Sequence, residues 1–277
     1  MKRFLRNTLS DLRYQTMRFT NAAHTGLRIL TYHRVTDAHP DDRLCVPVRQ
    51  FEAQMRHLDE DGYCTVSFSD AARWVRQGGP LPQRSIVISF DDGFDDNYQF
   101  AATAMARHHF KGIFFIPTQF IEGGVDGHGP DDRPMSWAQI EDLLRQGHEI
   151  GSHSVTHRKL TQIPVAELPE EVGGCKRTLE QRLARPIEYF CYPAGYYNET
   201  VKQAVTDAGY RGACTVEPGA NRLGTDPFAL KRTEVSAFDS LWDFEKKLAG
   251  AYDWLHAALQ GAQRRRRAQH PTSHEGH

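Results

Sequence analysis

Two adjacent carboxylates, Asp91 and Asp92, close a β-branched apolar run, Ile86-Val87-Ile88, and Gly93 follows them. Such a run reads as a buried parallel strand. Neighbouring residues on an extended chain point to opposite sides, so two carboxylates at a strand end can do two different jobs. Asp at a strand-to-helix turn is also a common helix cap, and the pair alone does not separate the readings. A second stretch bears on them. His153 and His157 sit four apart after the strand-like run Gly147–Ser152. They lie on one face if the segment turns helically. Two imidazoles and one carboxylate make a ligand set suited to a catalytic divalent ion with an open position for water. The other carboxylate is then free to act as a base.

The elements that must position these groups alternate along the chain. Strand-like runs cover Leu27–Tyr32, Tyr63–Ser67, Gly112–Pro117, Ile187–Tyr192, Tyr210–Val216 and Ala229–Val235. Helical spacing covers Phe51–Glu60, a segment through Val75 capped by Ser69-Asp70, and Trp137–Gln146 capped by Ser136. It also covers Val165–Ala184, Glu199–Ala208 and Asp239–Leu259. Asp95 and Asp96 read as dipole-favoured acids in the first turn of a helix reaching His108. Ile121–Pro134, with His128, is rich in Gly, Pro and Asp and reads as a long loop. Alternating strands and helices predict a parallel barrel. Every candidate group follows a strand-like run, the end of a barrel strand where chemistry gathers. His33, directly after the first strand, is placed to face the same site or to lie in a loop.

Composition sets outer limits. The chain has 277 residues, enough for one large α/β domain or two small ones. A net charge of −1 excludes a broadly basic nucleic-acid binder. No run reaches the ~18 apolar residues of a membrane span. Five scattered cysteines without CxxC spacing predict free thiols in a reducing, cytoplasmic compartment, and no secretory signal is evident. Residues 1–24 are basic, with Leu5, Leu9 and Leu12 in a helical stripe. That stripe suits either a helix packed outside the domain or one lying on the inner face of an anionic membrane. Residues 25–260 read as the catalytic domain. Residues 261–277, with Arg264–Arg267, read as a disordered tail.

The stretches Ser89–Gly93 and His153–His157 resemble the first two signature motifs of the polysaccharide deacetylases, the NodB-homology or carbohydrate esterase family 4 group. Tyr189–Asn198 resembles the third, in the same order. The resemblance implies a distorted (β/α)7 barrel and metal-assisted removal of an N-acetyl group from an amino sugar. That sugar would belong to a glycan, a glycolipid or a nucleotide-sugar precursor. It implies that Asp92, His153 and His157 hold one divalent metal, zinc first, with iron, cobalt or nickel as alternatives. Asp91 would be the general base. A backbone N–H near Ala194 would meet the oxyanion, and Tyr192, Pro193 and Gly195 would shape the sugar groove.

The chain departs from the family pattern at three places. Cys191 stands where an Arg usually orients the base, Ala194 replaces a bulky aromatic, and the late Leu-x-His motif is not evident. Arg232 is the candidate substitute for the Arg, and His33 for the general acid. Cys191 reads as a small buried thiol, and His256 as a structural residue of the last helix. Two other readings stay open: another amide or ester hydrolase on this scaffold, and a catalytically silent sugar-binding homologue.

Overall fold

The apolar runs become strands because β-branched and aromatic residues fit a pleated sheet buried on both faces. The computed structural model describes residues 10, 11, 14, 15, 26–123 and 132–253. The strands are β1 (Arg28–Tyr32), β2 (Arg34–Val35), β3 (Cys45–Val46), β4 (Cys64–Thr65) and β5 (Ser85–Phe90). They continue with β6 (Gly112–Ile116), β7 (Glu149–Ser152), β8 (Tyr189–Cys191), β9 (Gly212–Cys214) and β10 (Thr233–Glu234). The main sheet runs β10-β1-β5-β6-β7-β8-β9, all parallel, with β4 beside β5. β2 and β3 form a separate parallel pair. Leu230 bridges Cys214 of β9, and the same segment then pairs with β1 as β10. One short segment thus links the two ends of a curled parallel sheet, the barrel the alternation predicts.

Alternation sorts the strand faces. Val87, Ser89 and Asp91 share one side of the β5 line, with Ile29, Thr31 and Ile113 in register beside them. Val87, Ile29, Ile113, Phe115 and Cys191 pack with Phe68, Ala71 and Ala72 of the helix Phe68–Gln77. On the opposite side, Tyr32, Phe90 and Phe114 stack at centroid distances of 5.6 and 4.7 Å. Phe51 of the helix Val48–Glu60 closes on Tyr32 at 5.0 Å.

Several boundaries differ from expectation. The helix expected through Val75 is capped by Ser67, whose side chain accepts from the Asp70 N–H. Ser69 instead gives its N–H and hydroxyl to Glu149, which reaches across from β7. Asp96 is not a dipole acid. It is buried and accepts from Arg34 Nε at 2.7 Å and from the Val35 N–H at 3.1 Å. The segment after it forms a wide turn, Asn97–Ala102, before the short helix Thr103–Ala106. Pro169 and Gly173-Gly174 loosen the expected helix Val165–Ala184, leaving an α-helix only over Cys175–Leu183. Thr118–Gly123 is helical, and the rest of the predicted loop up to residue 131, with His128, lies outside the described residues. Ser136 forms a full capping box with Gln139 ahead of Trp137–Arg145. The last helix covers Leu241–Ala249, and His256 lies outside the described residues.

Residues 25–244 form one compact unit, and Met1–His24 with Glu245–His277 form a second. Within the second, Lys246 Nζ donates to Asp11 at 2.9 Å and the Tyr14 hydroxyl to Glu245 at 2.9 Å. Tyr14 is buried with Ala249 and Ala251. Leu5, Leu9 and Leu12, and the tail 261–277, lie outside the described residues. Among the described residues no helix is long and apolar enough to cross a membrane.

One buried histidine ties the sheet to pH. His148 Nδ1 accepts the Gly112 N–H at 3.1 Å, and its Nε2 is buried without a partner among the described residues. Burial, with repulsion from Lys111, pushes its pKa down from 6.5 to about 4. The unfolded chain therefore takes up this proton first as pH falls. Stability is lost between pH 6.5 and 4, by up to about 3 kcal/mol. His148→Asn keeps an acceptor for the Gly112 N–H and does not titrate. Denaturant titrations from pH 7 to 4 should show a flatter stability profile for this variant than for the wild type.

Candidate active site

Four strand ends deliver the predicted groups to one place. Asp91 and Asp92 follow β5, His153 follows β7, and Cys191 ends β8. His33 follows β1, and Arg232 precedes β10. Asp91 is 2 % exposed, and Arg232 grips it with both arms. Nη1 donates to Oδ1 and Nη2 to Oδ2, each at 2.7 Å. Nε of the same guanidinium donates to the Thr215 carbonyl at 2.8 Å. Burial alone would push the Asp91 carboxyl up, but the Arg232 charge and its two hydrogen bonds outweigh it and bring the pKa down to about 2. His33 Nε2 stands 3.9 Å from Asp91 Oδ2, and its Nδ1 is buried with no partner among the described residues.

Asp92 faces the other way. Its Oδ1 lies 3.2 Å from His157 Nε2 and 3.5 Å from His153 Nε2, and the two imidazole nitrogens are 3.1 Å apart. His153 Nδ1 is 2.8 Å from the Cys191 carbonyl, which can only accept. A proton therefore sits on Nδ1, and Nε2 is the atom that faces Asp92 and His157. Asp92 Oδ1 is buried and, among the described residues, lacks a well-formed hydrogen bond. An orphaned carboxylate oxygen beside two imidazole nitrogens fits a divalent cation.

A second cluster, Asp91, His153 and Cys191, has donors equally close together. It fits a cation poorly. Both Asp91 oxygens are taken by a guanidinium, and burial holds the Cys191 thiol well above its usual range, in the neutral form. The thiol lies 3.1 Å from Arg232 Nη2 and 3.6 Å from Asp91 Oδ2.

The histidine turn is not helical, contrary to the sequence reading. Ser154 and His157 adopt left-handed backbone, with φ of 65° and 59°. Ser154 Oγ accepts the His157 N–H at 3.0 Å. Buried Glu171, a residue the sequence reading passed over, accepts from the Thr156 N–H and hydroxyl at 3.1 and 2.7 Å. Its own carbonyl accepts the Val155 N–H. Asp92 and Ala194 are left-handed too, at 71° and 51°. Four non-glycine residues in this sparse region within one site mark backbone held by its surroundings.

The third motif needs one correction. Tyr192 does not line a groove: its ring is fully buried and its hydroxyl donates to the Phe228 carbonyl at 3.0 Å. Its place after β8 turns it into the core, where it stacks on Tyr197. Pro193 is buried as well, while Ala194 and Tyr196 are exposed. Gly195 has φ of 73°, and a Cβ there would meet Val216 at 2.2 Å, so only glycine fits the turn. The N–H groups of Gly195 and Tyr196 are taken by the Tyr192 and Pro193 carbonyls.

Comparison with known proteins bears on the family and the fold. The family model for polysaccharide deacetylases matches residues 78–213. YxkH of Bacillus subtilis (strain 168), named for the polysaccharide deacetylases, is 30% identical over 210 residues, covering 76% of this chain and 71% of that protein. The chain belongs to the polysaccharide deacetylase family. The poly-beta-1,6-N-acetyl-D-glucosamine N-deacetylase of Escherichia coli (strain K12) is 34% identical over 140 residues, 47% of this polysaccharide deacetylase chain. The matched stretch spans only 21% of that enzyme. The Streptococcus pyogenes deacetylase PplD, solved in complex with acetate, superposes with a TM-score of 0.74 at 20% identity. It covers 81% of this chain and 98% of its own. IcaB from Ammonifex degensii gives 0.71 at 23% identity, covering 82% and 98%. These two likenesses establish the fold.

Proposed function

We propose that this polysaccharide deacetylase hydrolyses the N-acetyl group of an amino sugar with the help of one divalent metal. The observation that carries the reading is the division of labour between neighbouring carboxylates: Asp92 converges with His153 and His157, while Asp91 is clamped by Arg232. Asp92, His153 and His157 would hold the ion, and zinc suits two imidazoles and a carboxylate, as iron, cobalt or nickel also would. When bound, the metal polarises the acetyl carbonyl and acidifies the attacking water.

The chain's own residues do the rest. Asp91 is ionised at every working pH and receives the proton of the attacking water. A carboxylate with a pKa near 2 is a weak base. Its contribution is therefore fixed position and guaranteed charge rather than basicity. The Ala194 N–H would meet the oxyanion. His33, beside Asp91, delivers a proton to the departing amine nitrogen, so acetate and a free amino sugar leave. Five free cysteines support a reducing, cytoplasmic setting. A glycan, lipid-linked sugar or nucleotide-sugar precursor would each supply the acetamide.

Acetate release from N-acetylated sugars, followed with and without chelator, tests this. Chelation should abolish release and added zinc should restore it. His157→Ala should lower metal content at equilibrium dialysis. Full activity in metal-free protein would overturn the reading.

A further inference from the structure

His33 sits in a turn that is fastened on both sides. Tyr32 closes β1 before it, and the Tyr32 carbonyl accepts the Asp91 N–H at 3.0 Å. After it, the Val35 N–H donates to buried Asp96 at 3.1 Å, and Arg34 Nε donates to the same carboxylate at 2.7 Å. Between these ties, Asn97 Nδ2 donates to the His33 carbonyl at 2.9 Å. The segment that carries the two catalytic-site carboxylates therefore also holds the turn that carries His33.

Asn97 offers more than that backbone tie uses. It is fully buried. A carbonyl only accepts, so the carboxamide must present Nδ2 to His33, and Oδ1 is the atom left over. That oxygen is buried with no partner among the described residues, and so is His33 Nδ1. Buried polar atoms are nearly always satisfied. These two are complementary, an acceptor oxygen and a ring nitrogen able to carry a proton, and they belong to residues already joined by a hydrogen bond. Asn97 also opens the wide turn Asn97–Ala102, a form of backbone found frequently at functional sites.

The chemistry of an imidazole acid gives that pairing a purpose. An imidazolium that gives up its Nε2 proton is left as the neutral tautomer with hydrogen on Nδ1. A group that accepts from Nδ1–H favours both the acid and this product, and fixes which nitrogen faces the reaction. We propose that Asn97 is the positioning residue of His33: Nδ2 fixes its backbone, and Oδ1 accepts the Nδ1–H directly or across one water. Nε2, 3.9 Å from Asp91 Oδ2, is then the nitrogen that delivers the proton. As the tetrahedral intermediate collapses, the C–N bond breaks and its electron pair takes the Nε2 proton. The oxyanion re-forms the carbonyl, and acetate and the free amine leave. Asn97 touches neither. The destination of the proton rests on the deacetylase reading, and the tautomer rests on the turn alone.

Two measurements separate those parts. Nitrogen-15 NMR of the full-length protein at about pH 9, where ordinary imidazoles are neutral, should place the His33 proton on Nδ1, with the signal assigned by its absence in His33→Gln. Asn97→Leu should shift that proton toward Nε2. Acetate release from N-acetylated sugars by Asn97→Leu should fall in kcat by roughly ten- to hundredfold, with KM and metal content unchanged. In the His33→Gln background the same substitution should cost less than about twofold, because the two residues act as a unit. Asn97→Ser, a smaller change, carries the same expectations should Asn97→Leu fail to fold. A wild-type His33 proton on Nε2, a tautomer indifferent to Asn97, or losses that multiply in the double variant would refute the assignment. An Asn97-dependent Nδ1–H in a protein that releases no acetate would sink the deacetylase reading and leave the positioning of His33 standing.

Discussion

Replacing Asp91 with Asn is expected to lower kcat by roughly 10²–10⁴ while the metal stays bound. The metal ligands would be Asp92, His153 and His157, and none of them hydrogen-bonds Asp91. The substitution removes the one anion positioned to take the proton. It also leaves the Arg232 guanidinium, 1 % exposed, without its counter-charge. A loss of about 3–5 kcal/mol of stability is therefore expected alongside the loss of rate. The paired variant Asp91→Asn with Arg232→Met separates the two effects. It should recover much of the stability, read by denaturant melting, and none of the activity. Metal content and steady-state acetate release on all three proteins provide the check. An Asp91→Asn enzyme within a few fold of wild type would show that another group takes the proton.

Arg232→Gln is expected to be nearly as damaging, by a different route. The wild-type Asp91 carboxyl is held at about 2 against 3.8 when free. A depressed carboxyl stabilises the fold above the unfolded pKa. Here that contribution is about 2 kcal/mol, present above pH 3.8 and lost as pH falls through 2. Without the guanidinium, burial is the dominant influence and the carboxyl pKa rises. The contribution then reverses sign: near neutral pH the buried charge opposes folding, and protonation at lower pH relieves it. Stability should thus fall by about 3–5 kcal/mol at pH 7 and less in acid. The acid limb of the kcat/KM profile should move to higher pH, since a base that protonates more readily is lost earlier. An unmoved acid limb would show that Asp91 is held by groups other than Arg232.

Much of this centre is legible in the sequence because strand ends are. Asp91, Asp92 and His153 each follow an apolar or glycine-bounded run, and a parallel barrel gathers such ends by topology. The departure at Cys191 made a distant arginine necessary, and Arg232 proves to occupy that place on Asp91. What local pattern could not carry is the direction of side chains leaving a strand irregularly. Tyr192 sits in a stretch rich in aromatics, yet it turns inward to Phe228. The spacing of His153 and His157 matches a helix, but two left-handed residues bring the imidazoles together instead. Asp96 reads as an ordinary first-turn acid. Its real partner, Arg34, lies 62 positions back, a contact set by tertiary packing alone. Glu171 carried a weak signal, an acid between Pro169 and paired glycines where a regular helix is unfavourable.

The stretch Leu230–Glu234 joins β9 to β1 and carries Arg232 at its middle. From there the guanidinium reaches Thr215 beside β9, Asp91 beyond β5 and the Cys191 sulfur of β8. The zipper of the barrel and the clamp on Asp91 are therefore a single object. Loosening that zipper is expected to lower turnover, even where every other strand keeps its neighbours. Turnover thus serves as a gauge of closure more sensitive than any measure averaged over the whole chain.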